Sequence, residues 1–137
     1  MKQIFINLPV SDLEKSKLFY TALGFELNPL FTDKNQVSLH WSDSILIMLQ
    51  THQFANSYLK KEVINAKNQL SVSHTLPVDS ALMVDELIHN ALTVGGVEPV
   101  ATIIEKFMYL RSIEDLDGHL WGIMYLDTEA FKSLKGR

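Results

Sequence analysis

The side chains best suited to metal or acid–base chemistry in this 137-residue chain are its five histidines, His40, His52, His74, His89 and His119. Imidazole binds divalent metals and exchanges protons near neutral pH. The histidines are dispersed, with no local His-x-x-x-His motif, and the absence of cysteine excludes thiolate ligands, disulfides and thiol nucleophiles. From their places in predicted strands, a turn, a loop and an exposed helix, we interpret each histidine as a structural or surface residue.

Two further groups of polar residues could bind ions. Asp115-x-Asp117-Gly118 has the start of a calcium-binding loop but lacks its later glutamate, so we predict a tight turn with Gly118 at positive φ. Arg111 lies within a strand-like run, where an unpaired buried charge is costly. Arg111 either binds an anionic ligand at the mouth of a cavity or pairs with a nearby carboxylate, and strand alternation does not decide which face it occupies.

The chain that must position these residues nearly repeats itself at half its length. Leu8-Pro9-Val10 recurs as Leu76-Pro77-Val78, an offset of 68 residues, and a helical stretch follows each copy. The pattern predicts an α+β fold of two βαβββ units that form a cup-shaped, partly closed sheet with helices on the outside. The predicted single domain has a first unit at 1–51, a linker at 52–68, a second unit at 69–127 and a tail at 128–137.

Local signals place the helices and strands within these units. Ser11-Asp12-Leu13-Glu14 predicts a capping box before a helix that continues to Leu23 and ends at Gly24. In the second unit, Asp79 or Ser80 caps a helix that ends near Val94. Strands are predicted at 3–9, 25–31, 37–41, 45–50, 70–78, 97–104, 107–113 and 120–126, and a short terminal helix at 128–135.

Composition limits the class of protein. Hydrophobic residues make up 47% and charged residues 20% of the chain, as in a globular domain. A net charge of −4 without a basic cluster argues against nucleic acid as a partner. No run of about 18 apolar residues predicts a membrane span. The first residues lack the apolar segment of a secretory signal, so a cytoplasmic location is expected.

Two stretches resemble a known superfamily. Asn7-Leu8-Pro9-Val10-Ser11-Asp12-Leu13, followed by Leu23-Gly24-Phe25, is similar to the opening of vicinal oxygen chelate proteins. These proteins include glyoxalase I, extradiol dioxygenases, fosfomycin-resistance enzymes and bleomycin-binding proteins. Asp115-Leu116-Asp117-Gly118-His119-Leu120-Trp121 resembles their Asp-Pro-Asp-Gly-His-x-Trp turn, with Leu116 in place of proline. Residues 107–112 are similar to a bacterial subgroup labelled predicted lactoylglutathione lyases.

The resemblance implies a divalent metal in the cup of the family's enzymes, bound by His, Gln or Glu from one inward position on each of several strands. It places these positions at Phe5, Met48, Ser73 and Gly122. None of the four is a suitable ligand. We therefore predict no metal and no cofactor, and assign no catalytic residues. His74 follows Ser73 directly and should face the helices, because adjacent strand residues point to opposite faces.

Alternation from the same positions predicts the inner surface of the cup. Pairing across the 42–44 turn places Leu39 and Trp41 beside Met48. The predicted surface is mostly apolar with a few polar groups, as in small-molecule sites. The alternative is a collapsed cup filled by its own side chains. The predicted ligand-binding residues are Phe5, Asn7, Trp41, Met48, Gln50, Ser73, Thr75, Arg111, Gly122 and Met124.

Three functional hypotheses follow. The first is a metal-free protein that binds or sequesters a small, partly apolar or aromatic molecule. The resemblance further implies a homodimer, in which two chains complete the cups. The second is a metal-dependent lyase, isomerase or dioxygenase with displaced ligands, so the sequence leaves open whether the protein is an enzyme. The third is an interaction module with a filled cup.

Overall fold

The protein forms two four-stranded sheets in a computed structural model that describes residues 1–135. A 3-10 turn at Pro29–Phe31 follows the strand at Glu26–Asn28. No helix within residues 1–135 is long and apolar enough to cross a membrane. In chain order the elements are β1 (Ile4–Val10), α1 (Leu13–Leu23), β2 (Glu26–Asn28), β3 (Gln36–Ser42), β4 (Ile45–Thr51), α2 (His52–Tyr58), β5 (Ser73–Val78), α3 (Ala81–Leu92), β6 (Ile103–Ile104), β7 (Met108–Glu114), β8 (Leu120–Leu126) and α4 (Thr128–Lys135).

The two sheets have the same topology. Their strand orders are β1-β4-β3-β2 and β5-β8-β7-β6, with the first strand of each unit parallel to the last. The predicted α+β fold of two βαβββ units is confirmed. The exact division at residues 51, 68 and 127 stays a prediction, and the last two residues of the predicted tail lie outside the described residues.

Capping residues define the helix ends, and the structure corrects the predicted N-cap of α1. The Asp12 side chain accepts from the Lys15 N–H at 3.0 Å, so Asp12 is the N-cap of α1 and the prediction of Ser11 is wrong. The Ser11 N–H instead donates to Asp117 Oδ1 at 2.9 Å. Gly24 ends α1 at φ 116°, as predicted, because glycine adopts the left-handed conformation without steric cost. Ser80 caps α3.

Three predicted strands are shorter in the structure, and two of the differences involve proline. The strand predicted at 70–78 begins only at Ser73. The strand predicted at 25–31 stops at Asn28, where Pro29 begins the 3-10 turn. The strand predicted at 97–104 is reduced to Ile103–Ile104 and an isolated bridge between Val97 and Glu114. A proline has no N–H to donate to a ladder, so Pro99 interrupts this edge of the second sheet.

One apolar core joins the two halves. Helices α1 and α3 pack against each other, and each packs against its own sheet. Fully burying a large apolar side chain contributes about 1.5–3 kcal/mol, so this core dominates the stability of the fold. Its largest side chains are Trp121, Tyr20, Phe19, Phe25, Leu23, Leu39, Ile47, Leu49, Ile88, Ile113 and Ile123.

A buried polar cluster crosses this core. The Tyr20 hydroxyl of α1 donates to Asp115 Oδ2 at 2.6 Å and accepts from Trp121 Nε1 at 2.9 Å. Asp115 Oδ1 also accepts the N–H groups of Asp117 and His119 at 2.9 and 2.8 Å. Burial, together with the neighbouring Asp115 carboxylate, raises the pKa of Tyr20. Burial also raises the pKa of Asp115, although its hydrogen bonds and His119 oppose the shift.

A second polar cluster holds α3 to the second sheet. The Arg111 guanidinium bonds Glu98 through Nε at 3.0 Å and Asp85 through Nη1 at 2.9 Å. The Tyr109 hydroxyl donates to the same Asp85 oxygen at 2.6 Å. The hydrogen bond from Tyr109, followed by that from Arg111, lowers the pKa of Asp85. Of the two roles left open for Arg111, the structure shows pairing with carboxylates.

Replacing Tyr20 by Phe should destabilise the protein by about 1–3 kcal/mol, because Asp115 Oδ2 and Trp121 Nε1 lose their buried partner. Urea unfolding measures the difference. Tyr58→Phe is the matched control, since the Tyr58 side chain is 48% exposed and water can replace its bond to Gln50. Equal losses in the two variants would contradict a special role for the buried cluster.

The cluster around Asp85 should make stability depend on pH. Its folded pKa lies below the ordinary value of 3.8, so the ionised form contributes stability that is complete above that value. The contribution is lost as the pH falls from there through the folded pKa. Urea unfolding between about pH 3 and pH 7 should therefore show wild type and Asp85→Asn converging at acid pH.

Glu86→Gln on the same helix is the control, because Glu86 is exposed and makes no ion pair within residues 1–135. This substitution should change the free energy of unfolding little at any pH. A wild-type advantage over Asp85→Asn that stays constant down to pH 3 would rule out the proposed ionisation effect.

Candidate functional site

Each sheet has a core face, which packs on α1 or α3, and an opposite face that we call the open face. The open face of the first sheet brings together Phe5, Asn7, Met48 and Gln50 from the predicted set. The ladder of β1 and β4 aligns Asn7 with Met48, and the ladder of β3 and β4 aligns Ser38 with Met48. The neighbours of Met48 along β4, Ile47 and Leu49, belong to the core instead.

The open face of the second sheet has the equivalent composition. Thr75 and Ser112 both lie opposite Gly122, and Leu110 lies opposite Met124. Ser73 precedes them on the same face of β5, where it pairs with Leu120. Eight of the ten predicted residues therefore lie on the two open faces. Their roles in ligand binding stay predictions.

The sequence prediction placed Trp41 on the wrong face of β3. A β-bulge between His40 and Ser42 adds one residue to β3, so Leu39 lies opposite Ile47 and His40 lies opposite Leu46. One extra residue exchanges the two faces of a strand. Leu39 is consequently buried in the core, and Trp41 packs against Phe25 with ring centroids 5.4 Å apart.

Arg111 is also absent from the open faces. It lies opposite Ile123 of the core and is held by Glu98 and Asp85, so its predicted place at the mouth of the cup is wrong. His74 lies on the core side of β5, as alternation predicts, with its ring 4.9 Å from that of Trp121. Burial, with a smaller effect of His119, lowers the pKa of His74, which favours the neutral imidazole.

The positions that hold metal in the superfamily's enzymes do not fit a metal here. Phe5 and Met48 provide no oxygen or nitrogen donor, and Ser73 provides only a hydroxyl. A Cβ atom on Gly122 would meet Leu110 Cδ1 at 3.0 Å and Thr75 Oγ1 at 3.1 Å, so an acidic side chain would require both neighbours to shift. No three His, Cys, Asp or Glu side chains within residues 1–135 gather as a metal site.

The first open face is partly covered by residues that the sequence prediction missed. Phe31 of the 3-10 turn contacts Phe5 edge-on, with ring centroids 6.3 Å apart. The Tyr58 hydroxyl of α2 donates to Gln50 Oε1 at 3.0 Å. Tyr58 lies outside the predicted strands, and Phe31 ends a predicted strand that the 3-10 turn replaces, so alternation predicts neither contact. Met48 and Gln50 are buried, whereas Ser73 and Thr75 on the second open face are exposed.

The main concave space lies at the edge of these faces, next to residues 59–67. Three cavities of about 180, 420 and 570 Å³ share Pro9, Ile64 and His119. His119 Nε2 lies 2.6 Å from the Pro9 carbonyl oxygen, which can only accept, so the ring donates from Nε2. Asn7 is the one predicted ligand-binding residue that borders any of these three cavities.

Known proteins resemble the chain in sequence at its N-terminus and in fold along most of its length. A family model described as bleomycin resistance protein-like N-terminal matches residues 2–40. No curated protein sequence matches significantly. The hypothetical protein SA1046 from S. aureus is similar with 27% identity and a TM-score of 0.75 over 91% of this chain and 94% of that chain.

Two further solved structures carry the superfamily's names. A glyoxalase/bleomycin resistance protein/dioxygenase family enzyme from Burkholderia phytofirmans has 15% identity and a TM-score of 0.75, over 92% of this chain and 99% of that chain. The bleomycin resistance determinant encoded on transposon Tn5 has 21% identity and a TM-score of 0.61, over 93% and 99%. The N-terminal match and the shared fold support the resemblance of this chain to the vicinal oxygen chelate superfamily.

Proposed function

We propose that the protein binds a small, partly apolar or aromatic molecule at its open faces without a metal. One feature carries the proposal: the resemblance to the superfamily places its metal-ligand positions at Phe5, Met48, Ser73 and Gly122. These residues lack the donors that a divalent metal needs. No step of a metal-assisted reaction is therefore assigned.

The chemistry of the open faces supports binding. Leu110, Met124 and Leu120 provide an apolar surface on the second sheet, and Thr75 and Ser112 provide isolated hydroxyl groups. Predominantly apolar sites with a few polar groups are typical for small molecules. The fold shared with a protein named as a bleomycin resistance determinant makes sequestration the form of binding that we propose.

A homodimer would complete such a site. None of the predicted residues on the second sheet borders the three cavities of the single chain. The second open face also leaves Ile103 42% exposed beside Leu110. We propose that this face meets the first open face of a second copy, so that two chains enclose the ligand.

Divalent metals should leave the stability of the protein unchanged. A metal at 100 times its dissociation constant would add about 2.7 kcal/mol to the free energy of unfolding. We expect no such gain when metal-stripped protein without an affinity tag is unfolded by heat in the presence of Ni²⁺, Zn²⁺, Mn²⁺ or Fe²⁺. A selective gain would contradict the metal-free proposal, and its loss in His74→Gln would identify that histidine as a displaced ligand.

An uncharged aromatic probe should bind at the open faces of a dimer. We expect N-phenyl-1-naphthylamine fluorescence to rise with wild-type protein, which should sediment at twice the mass of the chain. Leu110→Arg introduces a charge beside Gly122 and should lower the affinity at least about ten-fold. Leu82→Arg, at a position of α3 that is 68% exposed, is the matched control.

The unfolding temperature of each ligand-free variant separates loss of binding from loss of folding. Equal affinity of the two arginine variants for the probe would contradict binding at the open faces. A wild-type protein that sediments as a monomer at every concentration would contradict the dimer.

A further inference from the structure

A groove lies between the linker and the edges of the open faces, to which Asn7 and Pro9 of β1 and Leu120 of β8 belong. We call it the linker groove and define it by the three cavities that share Pro9, Ile64 and His119. The largest of them, about 570 Å³, is lined along one side by residues 59–64. Ligand pockets are commonly about 300–1,000 Å³, so the groove can hold a small organic molecule.

The walls of the linker groove are fixed by specific contacts. A Cβ atom on Gly118 would lie 2.6 Å from the Lys67 nitrogen and 2.7 Å from the Ala66 carbonyl carbon, so the linker backbone rests directly on the turn. The Asn65 side chain accepts from the Lys67 N–H at 3.0 Å and shapes the loop. Opposite the linker, the bond from His119 to Pro9 holds the floor. The groove is thus a formed feature of the fold.

One part of the linker groove is apolar. Pro9, Val63 and Ile64 line both of the larger cavities, and Leu59 borders the 570 Å³ cavity. Leu59 and Ile64 are 44% and 48% exposed, respectively. Side chains that are half exposed around a concave wall can bury further apolar area when a ligand enters, at about 25 cal/mol per Å².

The rim of the linker groove is cationic, although the chain as a whole carries a net charge of −4. Lys60, Lys61 and Lys67 are three of the chain's 12 Lys and Arg residues, and all three border these cavities. They make no ion pair within residues 1–135. Of the carboxylates nearby, Glu62 borders the same rim, and Asp117 already accepts from the Ser11 N–H.

We propose that the linker groove is a second ligand site, which binds an amphipathic organic anion such as a medium-chain carboxylate. The apolar body of the anion lies against Pro9, Val63 and Ile64, and its carboxylate lies at Lys60 and Lys61. The apolar wall favours a ligand with a hydrocarbon body, and the unpaired lysines favour a ligand with a negatively charged end group. This site adjoins the open faces, but its proposal rests on the linker residues and not on the metal-free site proposed there.

Isothermal titration with decanoate tests the proposal, with 1-decanol as the uncharged probe. Ile64→Glu should lower the affinity for both probes at least about ten-fold, whereas Leu82→Glu on α3 should not. The double variant Lys60→Gln/Lys61→Gln should weaken decanoate several-fold, increasingly at low salt, and leave decanol unchanged. Lys2→Gln/Lys106→Gln is the matched control, because both lysines are exposed and lie outside the groove.

Three results would overturn the linker groove as a ligand site. Wild-type protein that shows no binding of decanoate at about 1 mM would do so directly. Equal affinities of Ile64→Glu and Leu82→Glu would place the ligand elsewhere. Loss of decanoate binding in Leu110→Arg but not in Ile64→Glu would assign the ligand to the open faces, which would leave that proposal standing. Unfolding temperatures of the ligand-free variants show that each is folded.

Discussion

The hydroxyl group of Tyr20 is the point on which both halves of the molecule depend. It joins Asp115 of the second unit to α1 of the first, inside a core from which water is excluded. A buried carboxylate requires a partner for each oxygen. Tyr20 is the partner of Asp115 Oδ2, and backbone N–H groups of the 115–119 turn are the partners of Oδ1. The turn is therefore fixed relative to α1. Its position determines where β8 begins and where the linker can pass over Gly118.

The sequence predicted most of what depends on local periodicity. The helix stop at Gly24, the order of strands and the placement of His74 follow from patterns within a few residues. The face of Trp41 could not be predicted in the same way, because nothing in the composition of residues 40–42 announces a bulge. Regular pairing continued from Ser42 and Ile45 gives the opposite face. A single bulge can thus reverse the predicted face of a side chain even when the strand itself is predicted correctly.

The candidate site shows a second limit of sequence reasoning. Arg111 was recognised as unusual, but its partners come from a helix and from an irregular segment, Asp85 and Glu98, so no spacing rule identifies them. Phe31 and Tyr58 cover the first open face from outside the strands. The two halves share a topology yet differ in how much of their open faces remains accessible. Duplication explains the framework, and the connecting segments explain the difference.

The bulge in β3 also constrains how this hairpin can change in length. Losing the bulge while keeping its extra residue would place Leu39 opposite Met48 and turn Ser38 and His40 toward the helices. The loss of the bulge would bury the polar face of β3 in place of its apolar face along the whole strand. Adding or removing two residues in the hairpin leaves each side chain on its present face of the sheet. Relatives of this protein should therefore vary in length at this hairpin in steps of two, with single-residue changes confined to chains that gain or lose the bulge as well.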